Sequence, residues 1–216
     1  MEKLARKLAA DVSLALGYDA EKEAVVAYGL IAIIQITITT LLILIFGILI
    51  GAPVEAMILC FSVSIFRKYS GGAHARTAEI CTCFSVFYCV AMAVVSKKLL
   101  AGICPPVLLG PAVILVYLCA FLIVGRVAPV DSPNKPIRTE KKRKRMRKYS
   151  FVILSAYLTV SVVLLIFSGR SEILRSWAIS LLLGVTWQTF TLTYAGSQFI
   201  AKMNGIFLRR KEVNPS

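Results

Sequence analysis

From residue 24 to residue 50 the chain carries no charged side chain, and only Gln35 and a few threonines temper the apolar run. A bilayer core about 30 Å thick takes about 20 apolar residues per helix, so this run is long enough to cross one. Further apolar runs cover residues 54–66, 78–95, 103–124, 149–167 and 177–199. The expected fold is all-α: a polytopic helical membrane protein of about six membrane segments. The second run is short, about 20 Å as a helix, and it either spans with snorkelling Glu55, Arg67 and Lys68 or re-enters. With 58% hydrophobic and 17% charged residues and a mean hydropathy of +0.78, the whole chain, 1–216, reads as one integral membrane domain. That excludes a soluble enzyme core and a disordered basic tail.

Ahead of the first run, Leu4, Leu8, Val12 and Leu16 recur at helical spacing beside Lys3, Arg6, Lys7 and Asp11. Residues 1–23 therefore read as an amphipathic helix on a membrane surface, ended by Gly17, with no apolar stretch of the kind a cleavable signal peptide needs. The 25 Lys and Arg outnumber the 11 Asp and Glu, a net charge of +14. With the N-terminus inside, 21 of those cations fall on the inner side and four, Lys97, Lys98, Arg170 and Arg175, on the outer. The positive-inside rule then places both termini, the 67–81 segment and a basic loop at 126–148 in the cytoplasm of a multi-pass membrane protein.

Six cysteines do not read as a disulfide framework, because Cys60, Cys89 and Cys119 lie within apolar runs, where Cys behaves as a small hydrophobe. His74 is the only histidine, which excludes two-histidine zinc sites and leaves Ser197 without a downstream base. No metal or cofactor is expected. What remains is residues 70–81, Ser-Gly-Gly-Ala-His-Ala-Arg-Thr-Ala-Glu-Ile-Cys, a polar, glycine-broken stretch between two membrane segments. A cysteine nucleophile needs a base, and His74 could serve Cys81. In a continuous helix residues seven apart are separated by about 10 Å, so the pair meets only if His74 lies in a loop that folds back. Gly71 and Gly72 permit the bend, and Thr77 is the expected N-cap of a helix that carries Cys81 near its start.

The same residues also fit plainer readings. A lone Cys and a lone His pack in many bundles; Glu79 either orients His74 or is a solvated charge at a helix start; Cys83, on another face, reads as packing. The second marked stretch, residues 128–137, holds three prolines in an eight-residue span and precedes the basic run 141–148. That run is either a solvated or lipid-facing topogenic face or a dock for an acidic peptide. Nucleic-acid binding is not expected, since no reading module accompanies the charge.

Arg67, Gly72-Ala73-His74 and Cys81, followed one span later by Asp131-Ser132-Pro133-Asn134-Lys135-Pro136-Ile137, resemble the accessory gene regulator B (AgrB) family of Gram-positive quorum sensing. The resemblance covers nearly the whole chain. It implies a membrane cysteine endopeptidase that processes an AgrD-like pro-peptide, with Cys81 as nucleophile and His74 as base. Arg67, Gly72 and Lys135 would support the site or bind substrate. Lys141, Lys142 and Arg143 would attract the acidic tail of the pro-peptide. It further implies ring closure to a thiolactone or lactone, a homodimer, membrane lipid as surroundings, and no cofactor. Some relatives carry lysines just before the Pro-Ile of this loop, whereas here Asp131 to Asn134 precede a single Lys135. Two other classes compete: a peptide exporter using the polar break and the proline-rich fourth span as a pathway, and a non-catalytic signalling subunit whose basic loop binds anionic lipid.

Overall fold

The computed structural model describes residues 2–72, 77–131 and 139–213. Nine α-helices account for nearly all of them: α1 (Glu2–Leu16), α2 (Ala20–Leu49), α3 (Pro53–Ser70), α4 (Ala78–Val94), α5 (Ala101–Ile103), α6 (Pro106–Val127), α7 (Glu140–Ser168), α8 (Glu172–Leu192) and α9 (Tyr194–Val213). By length and composition four stretches can cross a membrane, Ala20–Leu49, Ala78–Ile103, Pro106–Val127 and Glu140–Ser168. The all-α membrane architecture is as the apolar runs require.

Local chemistry sets the helix ends. Gly17 turns the chain after α1 with a φ of +62°, and the Asp19 carboxylate accepts the Lys22 N–H at 2.8 Å to start α2. Pro53 opens α3, where its missing N–H costs nothing. In α1 the small face Ala5, Ala9 and Ser13 is buried, while Leu4, Leu8, Val12 and Leu16 stay exposed, the arrangement of a helix resting in an interface.

Two of the six expected spans, those in α3 and α8, are not among the four apolar crossings, and burial explains why. These helices form the centre of the bundle. Ser176, Ser180, Gln188, Thr189 and Thr191 of α8 and Glu55, Ser62 and Ser70 of α3 are all buried. The faces these helices turn inward do not meet lipid, so they can carry polar groups that find partners inside, while Val54, Phe61 and Ile65 leave α3 an exposed apolar face. α3 and α8 run parallel: Ser176 donates to Glu55 at 2.7 Å near their starts, and Gln188 donates to Ser70 at 3.1 Å near their ends. Between these ties Gly184 lies so close to Ser62 that a Cβ would overlap its hydroxyl. α3 is therefore one continuous helix, Pro53–Ser70, lying along α8.

Three other boundaries differ from the sequence expectation. The run from 78 does not stop at Lys97-Lys98: a π-helical turn, Val95–Leu100, carries it on to α5. Lys97 can sit there because it folds back on the Gly51 carbonyl at 2.8 Å and lies 3.6 Å from the buried Glu55 carboxylate. The basic run 141–148 is not loop but the first turns of α7. The last apolar run breaks at Thr193, whose hydroxyl accepts the Gly196 N–H at 3.1 Å and so caps α9. Gly196 is required in that turn, since a Cβ would strike the Phe190 carbonyl.

The Ser62 contact gives the first prediction. Gly184→Val should separate α3 from α8 and lower stability by about 1–3 kcal/mol, the usual range for overpacking. Thermal unfolding in detergent, read against wild type, measures it.

Candidate functional site

The end of the bundle where α3 and α8 finish and α4 and α7 begin collects both marked stretches of the sequence. α3 ends as the Gly71 N–H bonds to the Arg67 carbonyl at 3.0 Å. Gly71 then has φ +72° and Gly72 φ +130°, conformations that side chains with a Cβ rarely adopt. Space is as restrictive as the dihedrals. A Cβ on Gly71 would collide with the Val130 carbonyl, and one on Gly72 would meet the Thr191 hydroxyl at 3.0 Å.

Val130 belongs to the proline-bearing connector after α6, and its N–H bonds to the Ser70 carbonyl at 3.0 Å, forming a short parallel bridge beside Gly71. The start of α7 fixes that connector in turn. Arg147 donates to the Ala128 carbonyl at 2.7 Å, and Arg143 reaches Asp131 at 2.6 Å and the Pro129 carbonyl at 3.4 Å. Beneath the turn lies Gln188, fully buried, donating to Ser70 Oγ and, at 2.8 Å, to the Gly71 carbonyl. Sequence reasoning passed over Gln188 and Thr191. Their signal was available as an amide and a hydroxyl inside an apolar run.

Thr77 caps α4 as expected, its hydroxyl accepting the Ile80 N–H at 3.3 Å. The Cys81 N–H bonds to the Thr77 carbonyl at 3.1 Å, so Cys81 stands in the first turn, where the helix dipole favours negative charge. Its side chain is half-buried on a cleft of about 40 Å³ whose polar lining is Arg67, Ser85 and Asn204. Arg67 and Cys81 thus meet across the α3–α4 junction.

Of the other sequence candidates, Gly72 packs on α8, Arg143 is engaged with the connector, and Lys141 and Lys142 are exposed on α7. His74 and Lys135 lie outside the described residues. Glu79 is exposed in the first turn of α4. Cys83 is exposed rather than packed, because two residues along a helix turn it away from the face that carries Cys81. All six cysteines are free, and no group of three or more potential metal ligands occurs among the described residues.

Residues 1–192 match the family model of accessory gene regulator B. The chain belongs to the AgrB family. An AgrB-like protein of Clostridium perfringens strain SM101 is 36% identical over 199 residues, covering 91% of this chain and 93% of the relative. A second, from C. perfringens strain 13, is equally similar, and one from Halalkalibacterium halodurans is 24% identical over 214 residues. No solved structure matches. Membership gives this AgrB-family membrane protein a role in accessory gene regulator quorum sensing and links it to an AgrD-like peptide.

The turn supplies two tests of the site's construction. Gln188→Leu leaves the Gly71 carbonyl and Ser70 without their amide partner and should cost about 1–3 kcal/mol. Gly71→Ala adds backbone strain to the collision with Val130 and should cost more. Both are read as the loss of unfolding temperature in detergent.

Proposed function

We propose that this chain is a cysteine endopeptidase that removes the C-terminal tail of an AgrD-like pro-peptide at the cytoplasmic face and promotes closure of the remaining peptide into a ring. The observation that carries the reading is Cys81, held in the first turn of α4 on a cleft shared with Arg67. A thiol used only for packing has no need of a capped helix start, an adjacent guanidinium and an open cleft.

In the first step the Cys81 thiol gives its proton to His74, and the sulfur attacks the carbonyl before the tail. The sulfur–carbon bond forms as the peptide carbon–nitrogen bond breaks, and the departing amine takes the proton back from His74. Arg67 balances charge on the carbonyl oxygen in between. In the second step an internal Cys or Ser of the pro-peptide attacks the Cys81 thioester, closes a thiolactone or lactone and returns the thiol. Attack by water would discard the acyl energy, so holding the internal nucleophile close decides the outcome.

The cytoplasmic assignment rests on the excess of cations on that side, Arg67, Arg126 and the start of α7 among them. The exposed Lys141 and Lys142 would draw the acidic tail, whereas Arg143 has a structural task at Asp131. Lys135 would bind substrate, and two chains would work as a homodimer.

Release of the tail from synthetic pro-peptide by the protein in proteoliposomes tests the reading. Wild type should release it, and Cys81→Ala and His74→Ala should fall to the uncatalysed level; tail release by folded Cys81→Ala would overturn the proposal. The double change Lys141→Glu with Lys142→Glu should slow release at low salt. That difference should shrink toward 1 M salt, where the screening length is about 3 Å. An unchanged rate at low salt would remove these lysines from substrate capture.

A further inference from the structure

Besides Arg67, Ser85 and Asn204, the Cys81 cleft is lined by Ile80, Phe84, Trp187, Ile200 and Met203, an apolar wall. Peptide cleavage as such does not call for this apolar wall. We infer that it is the selectivity pocket for the acyl residue, the one whose carbonyl Cys81 attacks, and that it accepts an aliphatic side chain. The inference rests on Cys81 being the nucleophile.

Covalent geometry makes the assignment. In the thioester the α-carbon of the acyl residue is two bonds from the Cys81 sulfur, so its side chain must lie among the groups that surround that sulfur. Arg67, Ser85 and Asn204 form the polar part of the lining and suit the carbonyl oxygen and backbone; the side chain is left with the apolar part. The space beside the thiol is small, about 40 Å³.

The floor is not free to yield. Trp187 stacks on Tyr88 at 4.4 Å and on Phe84 at 6.1 Å, and Phe199 meets both Trp187 and Phe84 edge-on. Tyr88 is anchored by its hydroxyl to the Leu183 carbonyl at 2.9 Å. The stacked rings leave a bicyclic side chain less room to turn in than a flexible aliphatic one, and a cationic side chain would face both apolar groups and Arg67. The movable part is Met203, unbranched and half-buried. Together with Ile200 and Asn204 it comes from α9, which begins at residue 194, past the residues 1–192 that match the family. The nucleophile thus sits in the matched part of the chain, and one wall of the pocket is contributed from beyond it.

The experiment uses full-length protein in nanodiscs and three synthetic pro-peptides with Leu, Trp or Lys as the acyl residue. It reads the rate of Cys81 acylation by intact mass. Leu should be acylated at least about tenfold faster than Trp or Lys, the discrimination typical of an apolar pocket. Met203→Ala should raise the Trp-to-Leu ratio several-fold and leave Lys poor, a change of ratio that a general loss of stability does not produce. Equal wild-type rates, with Cys81 acylated by all three, would overturn the pocket and leave the nucleophile intact. An unchanged ratio in Met203→Ala would also overturn it. No acylation by any of the three would overturn the nucleophile reading and the pocket with it.

Discussion

The parallel contact of α3 with α8 is the constraint on which the rest of the structure depends. In a bilayer no hydrophobic force separates helix from lipid, so association rests on close approach and on polar groups that find each other. Gly184 against Ser62 supplies the approach, and Ser176 with Glu55 and Gln188 with Ser70 supply polar ties at the two ends. Because the helices run in the same direction, the end of α8 arrives where α3 gives way to the two glycines. The amide that holds those glycines in their positive-φ turn therefore comes from the most buried helix of the bundle. The turn is set by the core rather than by its own loop.

From this follows the meeting of two sequence stretches some sixty residues apart. The connector after α6 lies along Gly71 because no Cβ stands in the way, and the basic start of α7 clamps it through Arg143 and Arg147. Part of the charge in that run thus has an internal use, while Lys141 and Lys142 remain available to a partner. At the opposite end Glu55, Lys97 and the Ser96–Ser180 pair close the bundle around the π-helical turn. α4 is held at its far end by these groups and begins at Thr77, which presents Cys81 to the cleft.

Much of this was legible in the sequence, and what was not has physical causes. Apolar runs announce helices that face lipid, and Thr77, Gly17 and the two glycines announce ends and bends through chemistry local to a few residues. Enclosed helices are harder to read: α8 is buried on nearly all sides, so its serines, threonines and glutamine blur the pattern that marks a span. The break at Thr193 brings the Gly196 backbone so close to the Phe190 carbonyl that no Cβ fits, an approach between two helices that apolar periodicity does not register. The basic run 141–148 does not announce itself as helix, because charge and helix start are independent properties. Arg67 and Cys81 stand out by their pattern, but Trp187 and Met203, which line the same cleft, emerge only when α8 and α9 fold onto α4.

The proposed chemistry requires Cys81 to carry an acyl group. The direct measurement is rapid acid quench of the protein with its pro-peptide, digestion, and mass analysis of the fragment that contains Cys81. The predicted result is an added mass equal to the pro-peptide without its tail, on Cys81 alone and removed by hydroxylamine. An acyl group on any other cysteine, or tail release with Cys81 unmodified at every quench time, would contradict it.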